Sequence, residues 1–225
     1  MNISVRDHLL PVFATPIGSF FVQDHATLNQ ALSAAILERE AAAPGVTRSN
    51  AGGWHSEGNM VKWPLPEIEK LAGVVRQATL LIAAGVLQAK QIRAEVDMEA
   101  WANVSRRGNY NRMHNHPDWH YSAVYYVQTG QPDPQCDRQN GWIQFSDPRG
   151  VLAEGALPGT DVDTAVPIPP PSGGHFGFSF GLPPVAGGLL IFPSWHKHWV
   201  NPFEGEGERI SNAFNLKLDE VNKVA

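Results

Sequence analysis

Three histidines in this chain of 225 residues have the types and the spacing of metal ligands. His114 and His116 are two positions apart, and on a β-strand that spacing projects both imidazoles from the same face. His198 follows a second apolar strand and a short turn, so a neighbouring strand could deliver it as a third ligand. Imidazole nitrogens suit iron, zinc or copper. The residues therefore predict a metal site whose protein ligands lie on one side and leave the other side open for chemistry.

Strands must position these ligands, and the second half of the chain has the period of strands. From about Glu95, apolar Val96 and Met98 alternate with charged Asp97 and Glu99, which is typical of a strand with one buried face. Further strands are predicted over residues 121–127, 142–145, 189–192 and 210–218.

The first third of the chain predicts helices. Thr27 is the expected N-cap of one helix, which Pro44-Gly45 stops. Pro64 and Pro66 open a second helix that ends near residues 85–88. Helices followed by short strands favour a mainly β fold of the α+β kind, a sandwich or barrel with N-terminal helices packed on one sheet.

The expected organisation is a single domain over residues 1–225, with 1–92 as a helical N-terminal support and 93–220 as the β core. A Gly- and Pro-rich stretch over 150–188 is the predicted lid of the site. Within it, His175-Phe176-Gly177-Phe178 is expected to face the cavity.

Composition narrows the class of protein. The chain is 43% hydrophobic with 7 Trp, enough to bury a core, and its net charge of −5 comes without a basic block. We therefore expect no nucleic-acid partner and no membrane association. Cys136 is the single cysteine, which excludes an intramolecular disulfide and indicates a reduced, cytoplasmic compartment.

Several blocks of residues resemble a known family. They are, in chain order, Gly52-Gly53-Trp54-His55-Ser56, Trp101-Ala102-Asn103-Val104-Ser105, the segment from Gly108 to Pro117 with both clustered histidines, Ser122-Ala123-Val124-Tyr125-Tyr126-Val127, Phe192-Pro193-Ser194-Trp195 leading to His198, Val200-Asn201-Pro202, and Arg209-Ile210-Ser211-Asn212-Ala213-Phe214-Asn215. In order and spacing they are similar to the short bacterial and phage 2-oxoglutarate/Fe(II)-dependent oxygenase-like family.

The resemblance implies a double-stranded β-helix, a jelly roll of the cupin-like kind with the metal inside. It implies Fe(II), 2-oxoglutarate as cosubstrate and O2, with His114, His116 and His198 as metal ligands. Arg209 and Ser211 share one face of a strand and suit the distal carboxylate of 2-oxoglutarate, because a guanidinium fork can bind it in a bidentate, charge-assisted way. The alternative is a surface Arg209 paired with Glu206 or Glu208.

Arg209 follows His198 by 11 residues, which predicts a turn and an adjacent antiparallel strand.

The second metal ligand has two candidates, because members of the wider class mostly use His-x-Asp or His-x-Glu. His116 takes the place of the carboxylate if His114 is the first ligand. Otherwise His116-Pro117-Asp118 is itself a His-x-Asp, with His114 outside the metal shell.

Residues around the ligands are expected to line the cavity or to face the cosubstrate. They are Trp119, Trp195 and Trp199 as cavity walls or packed core aromatics, Asn103, Tyr110, Asn111 and Tyr125 towards the cosubstrate, and His120 and His196 as neighbours of the ligands, cavity groups or surface residues.

The predicted activity is hydroxylation of a small-molecule substrate such as an amino-acid-like metabolite. A protein side chain as substrate, and desaturation or cyclisation as outcome, stay open, as does assembly into a homodimer. Two other functions fit the histidines: a three-His cupin-type dioxygenase that needs no 2-oxoglutarate, and a non-catalytic β-sandwich binding module stabilised by a metal.

Overall fold

The computed structural model of the protein describes residues 14–136, 139–148 and 179–224, and within them two α-helices precede the long strands. Helix α1 spans His25–Ala42 and α2 spans Pro66–Val86, with a 3-10 turn at Met60–Lys62 before α2. The predicted start of α1 is wrong, because Asp24 turns the chain into the helix with a left-handed φ of 53° and Thr27 lies within the first turn. The start of α2 is confirmed, with proline in its first turn.

Two antiparallel sheets form the body of the protein. Their strands are β1 Gly18–Phe21, β2 Asn50–Ala51, β3 Trp54–His55, β4 Gln91–Ser105, β5 Tyr110–His114, β6 Tyr121–Pro132, β7 Ile143–Ser146, β8 Ser179–Leu182, β9 Gly188–Pro193, β10 His198–Val200 and β11 Gly205–Val224. The six-stranded sheet has the order β1-β9-β6-β11-β4-β3, and the five-stranded sheet has the order β2-β5-β10-β7-β8. Strand neighbours that are distant in sequence, all antiparallel, are typical of a jelly roll. The predicted mainly β fold is confirmed.

Alternation along β11 gives the six-stranded sheet two different faces. Ile210 and Phe214 belong to a core that includes Leu71 and Val75 of α2, so the helices cover one face of this sheet. The opposite face contacts the five-stranded sheet, where Phe145 and its neighbours form a second, smaller core. As predicted, the helices pack on one sheet, and the space between the sheets is left for a site.

The N-terminal third contributes strands as well as helices. β1 pairs with β9, β2 with β5 and β3 with β4, so this part of the chain takes part in both sheets. The sequence analysis missed these strands because each has only two to four residues, too few for a period to show.

The predicted lid lies largely outside the described residues, including His175-Phe176-Gly177-Phe178. At its end, Ser179–Leu182 is strand β8, which pairs with β7 at the edge of the five-stranded sheet. Among the helices that the structure describes, none is long and apolar enough to cross a membrane.

Candidate active site

Three imidazoles meet between the two sheets. His114 ends β5 and is paired in the ladder with His198, which begins β10 on the central strand of the five-stranded sheet. Their ring centroids are 4.4 Å apart. The ring centroid of His116 lies 5.0 Å from that of His114 and 5.3 Å from that of His198. One ligand atom from each of the three lies within 4.8 Å of the others, so a single ion could be bound by all three after a small side-chain movement.

His116 reaches the cluster from beyond the strand. The prediction that one strand carries both His114 and His116 is wrong, because β5 ends at His114. The chain turns there, and the backbone N–H of His116 donates to the carbonyl of Ser194 at 2.9 Å. That contact with the turn before β10 brings the third imidazole back towards the other two.

Hydrogen bonds to backbone carbonyls orient two of the rings. Nδ1 of His114 lies 2.7 Å from the carbonyl oxygen of Arg112, and Nδ1 of His198 lies 2.9 Å from that of His196. A carbonyl oxygen can only accept, so in each ring Nδ1 carries the hydrogen and Nε2 keeps its lone pair. This is how proteins commonly fix the tautomer of a metal-binding histidine.

Burial keeps the three histidines neutral. Desolvation lowers the pKa of His116 to about 4, with a smaller contribution from His114. It lowers the pKa of His198 well below 6.5, again with His114 as the next cause, and it lowers that of His114 against the opposing Arg112 hydrogen bond. Because a metal needs the neutral form of imidazole, the site is ready to bind an ion at neutral pH.

Asp118, the rival ligand, does not join the cluster. It is exposed and lies in a turn with a positive φ of 71°. Within the described part of the chain, the group of residues that could hold one ion comprises His114, His116 and His198 and contains no carboxylate. The geometry therefore favours the assignment in which His116 takes the carboxylate's place.

Arg209 lies in the same pocket and is buried, with no counter-ion in the described part of the chain. Only 2% of its surface is exposed, no described carboxylate pairs with it, and its Nε has no hydrogen-bond partner among the described residues. The surface alternative is wrong, because Glu208 instead contacts Arg106 at 3.5 Å. Ser211, two residues further along β11, is also buried and lines the pocket.

His198 and Arg209 are on opposite sheets, which corrects the expectation of adjacent strands. β10 belongs to the five-stranded sheet, and β11 belongs to the six-stranded sheet. Residues 201–204 carry the chain across between them. The histidines and the guanidinium thus face the pocket from its two sides.

The pocket encloses about 50 Å³ between the two sheets and widens to an open mouth. Its polar wall residues are Ser49, Asn103, Asn111, Ser122, Tyr126, Arg209 and Ser211. Three of them have a buried polar atom with no hydrogen-bond partner among the described residues: Asn103 Oδ1, Tyr126 OH and Arg209 Nε. Buried polar groups are rarely left unpaired, so these atoms indicate a polar ligand.

Of the residues predicted to face the cosubstrate, some lie on the pocket face of their strands and others on the opposite face. Asn103 and Asn111 line the pocket, whereas Tyr110 is exposed outside it. Tyr125 points to the helices, where its hydroxyl donates to Asn29 Oδ1 at 2.6 Å. Its neighbour Tyr126 is the pocket residue, and strand alternation could have identified it once the inward face of β6 was known.

The tryptophan in the pocket wall is also not one of those predicted. Trp119, Trp195 and Trp199 do not line the pocket, while Trp101, which no prediction selected, does. His120 has a structural role, since its Nδ1 accepts from the backbone N–H of Leu218 at 2.9 Å.

His196 contributes its carbonyl to His198, and its Nε2 lies 2.8 Å from the carbonyl oxygen of Ser146. It is therefore a neighbour of the three clustered histidines and not a member of the cluster.

The protein is thus a jelly roll with three clustered histidines that could hold a metal ion on one side of a pocket, and on the other side an arginine for which the described residues offer no counter-ion. A family model described as "Putative 2OG-Fe(II) oxygenase" matches residues 99–215, a little over half of the chain. The chain belongs to this family of 2-oxoglutarate/Fe(II)-dependent oxygenases.

Solved structures share the fold. A Pseudomonas putida prolyl-4-hydroxylase is 19% identical with a TM-score of 0.60, covering 90% of this chain and 92% of its own. A Trichoplax adhaerens prolyl hydroxylase, solved with a hypoxia inducible factor peptide fragment, has 11% identity, a TM-score of 0.58 and coverage of 91% and 84%.

HygX from Streptomyces hygroscopicus, solved with nickel and 2-oxoglutarate, has 13% identity, a TM-score of 0.54 and coverage of 90% and 82%. At these identities the similarity shows the double-stranded β-helix fold alone. No curated protein sequence matches this chain.

Proposed function

We propose that the protein binds Fe(II) through His114, His116 and His198, binds 2-oxoglutarate through Arg209 and Ser211, and hydroxylates a small molecule such as an amino-acid-like metabolite. One observation carries the proposal: a fully buried arginine, for which the described residues offer no counter-ion, faces three neutral imidazoles across one pocket. A buried charge of this kind is costly unless a ligand pairs with it. A dicarboxylate with one end near the histidines supplies that pair.

The histidines would hold the metal by Nε2, at least for His114 and His198, whose Nδ1 atoms are committed to carbonyls. Fe(II) bound there would supply the oxidation of 2-oxoglutarate by O2 to succinate and CO2, with the second oxygen atom of O2 inserted into a C–H bond of the substrate. The protein's own contribution is to fix both reactants in register and to exclude water from them.

The far end of the cosubstrate would be bound by Arg209 with Ser211 and Tyr126. The guanidinium suits a carboxylate in a bidentate arrangement, and the two hydroxyls can each donate one more hydrogen bond. Tyr126 fits this role because its hydroxyl is buried next to Arg209 without another partner among the described residues. Burial strengthens each of these contacts because little water competes.

The substrate would occupy the part of the pocket lined by Trp101, Asn111 and Ser49, where the side-chain amide of Asn111 donates to Ser49 Oγ at 3.2 Å. We propose that residues 1–225 act as one unit, with 1–92 supporting the 93–220 core. The lone Cys136 supports a reduced, cytoplasmic compartment, and a homodimer remains the assembly to test.

The test combines cosubstrate binding with turnover. Under anaerobic conditions, 2-oxoglutarate added to the Fe(II) protein should produce the visible absorption band of its iron chelate. With O2, free amino acids and proline-containing peptides are then compared as substrates by succinate formation. Succinate production stimulated by a free amino acid supports the proposal.

Other outcomes discriminate the alternatives. Stimulation by peptides alone overturns the small-molecule assignment. O2 consumption with a substrate but without succinate indicates a three-His dioxygenase that needs no cosubstrate. Binding of metal that raises the melting temperature with no O2 consumption under any condition indicates a structural metal site.

A further inference from the structure

His116 differs from the other two histidines in what holds its ring. His114 and His198 each have Nδ1 at a backbone carbonyl. Within the ranges that the structure describes, no hydrogen bond reaches the ring of His116, and only its backbone is held, by the N–H donated to Ser194. An imidazole with free rotation about its side-chain bonds makes a poorer ligand, because binding must first restrict it. Some other contact has to orient this ring.

Aromatic rings supply that contact. The centroid of Trp101 lies 5.6 Å from that of His116, with 32° between the ring planes. Trp101 is in turn stacked on His55, at 5.5 Å and 12°. We call His55, Trp101 and His116 the aromatic chain. Centroid distances of this size are typical of attractive ring pairs.

The start of the aromatic chain is fixed by the pairing of β3 with β4. His55 is paired with Asn103 of β4, which lies two residues along that strand from Trp101. Ser56 braces the pairing beside it, because its N–H donates to the carbonyl of Ala102 at 2.9 Å and its Oγ accepts from the N–H of Ala102 at 3.0 Å. Nδ1 of His55 lies 2.8 Å from the carbonyl oxygen of Ser56, which fixes the ring.

This arrangement gives a purpose to the Gly52-Gly53-Trp54-His55-Ser56 block, none of whose residues lines the pocket. Both glycines have a φ of 65°, in the left-handed region that glycine adopts without strain. The tight turn they form leads directly into β3. The block therefore places the His55 ring against that of Trp101.

We propose that Trp101, supported by His55, is the positioning residue for His116, and that the contact of its tilted ring does for this ligand what a carbonyl hydrogen bond does for His114 and His198. The inference rests on the proposed role of His116 as a metal ligand. It predicts that removing the aromatic chain weakens metal binding and changes the geometry at the metal, while the fold and the other two ligands stay in place.

The experiment uses Co(II) alone as the probe, titrated into metal-free full-length protein and followed by its visible ligand-field absorption. Trp101→Leu should lower Co(II) affinity by roughly 10-fold to 100-fold, the range seen when residues that orient a metal ligand are changed, and should alter the intensity of the bands. Trp101→Phe should restore most of the affinity and the spectrum, since a ring remains to stack. His55→Leu should give a smaller loss, and His55→Phe should resemble the unmodified protein.

Trp195→Leu is the matched control, because Trp195 is 51% exposed and does not line the pocket. Circular dichroism of each variant establishes that it is folded at the titration temperature. A folded Trp101→Leu with unchanged affinity and spectrum would overturn the positioning role, and so would equal losses in Trp101→Leu and Trp101→Phe.

His116→Ala separates this inference from the proposed function. If that variant keeps the affinity and spectrum of the unmodified protein, His116 is not a ligand and both fail. If it loses affinity while Trp101→Leu does not, the ligand set stands and the positioning role alone is wrong.

Discussion

The guanidinium carbon of Arg209 lies 5.2 Å from the ring centroid of Tyr126, at the inner face of the six-stranded sheet. Neither Arg209 Nε nor the Tyr126 hydroxyl has a hydrogen-bond partner among the described residues. Desolvation lowers the pKa of the guanidinium and raises that of the phenol, and the interaction of the two side chains with each other opposes both shifts without cancelling them, so each group remains short of the solvation it needs. An anionic ligand relieves both deficits, because it can accept hydrogen bonds from both groups.

Replacing Arg209 with leucine should separate ligand binding from stability. We expect Arg209→Leu to weaken 2-oxoglutarate binding by about 2–5 kcal/mol, the usual cost of removing one partner of a buried charge pair. Thermal unfolding of the ligand-free protein should be unchanged or shifted upward, because an unpaired buried charge is removed. The control is Arg107→Leu, which removes an exposed arginine 3.8 Å from Glu204. A large drop in melting temperature for Arg209→Leu would mean that the arginine is paired within the protein.

Adjacent tyrosines allow a matched comparison. Tyr126→Phe removes a pocket hydroxyl and should raise the KM for 2-oxoglutarate by roughly tenfold, equivalent to one hydrogen bond to a charged group. Tyr125→Phe removes the hydroxyl that donates to Asn29 and should lower the free energy of unfolding by about 1–2 kcal/mol without changing that KM. Steady-state kinetics and urea denaturation measure the two effects. The reverse pattern would contradict the assigned faces of β6.

The metal-free protein should lose stability as the pH falls. The native pKa of His116 is about 4, and the pKa values of His114 and His198 are also lowered, whereas the unfolded value is near 6.5. The unfolded state therefore binds more protons below pH 6.5, and the free energy of unfolding decreases from there towards pH 4. Chelator-treated protein unfolded in urea at several pH values measures this slope. His116→Gln should make the slope shallower, and an unchanged slope would show that His116 does not contribute.

Two alanines on β4 and β11 test the two faces of the six-stranded sheet. Ala213 lines the pocket opposite Trp101, while Ala102 is completely buried towards the helices. Ala213→Leu should leave metal affinity intact but weaken cosubstrate or substrate binding about tenfold, because it narrows the pocket. Ala102→Leu should destabilise the fold by about 1–3 kcal/mol through overpacking. Calorimetric titration and thermal unfolding separate the two results.

The sequence predicted the parts of the site that depend on local spacing. The i, i+2 relation of Arg209 and Ser211 holds because β11 is a regular strand at the point where both residues enter the pocket. The histidines are brought together as expected, and the long strands and second helix are where their periods placed them.

What failed depends on contacts between distant parts of the chain. His116 reaches the cluster through a turn held by Ser194, and no local pattern reports that contact. Choosing between Tyr125 and Tyr126 requires knowing which face of β6 points into the pocket. Both tyrosines are apolar enough to lie on the pocket face or on the helix face. The crossing between His198 and Arg209 follows from sheet order, which a spacing of 11 residues cannot reveal.

The placement of the histidines and Arg209 on opposite sheets has a consequence for which keto acid the pocket accepts. Packed sheets are separated by about 10 Å, a distance set by the cores beside the pocket and not by the ligand. A dicarboxylate bound by the proposed anchors must reach from the histidines to Arg209, and the two sheets fix that distance. If the histidines and Arg209 hold its two ends, we expect a keto diacid one carbon shorter or longer than 2-oxoglutarate to bind more weakly, because its ends no longer match both anchors. The spacing of the two sheets would then select among keto diacids by length.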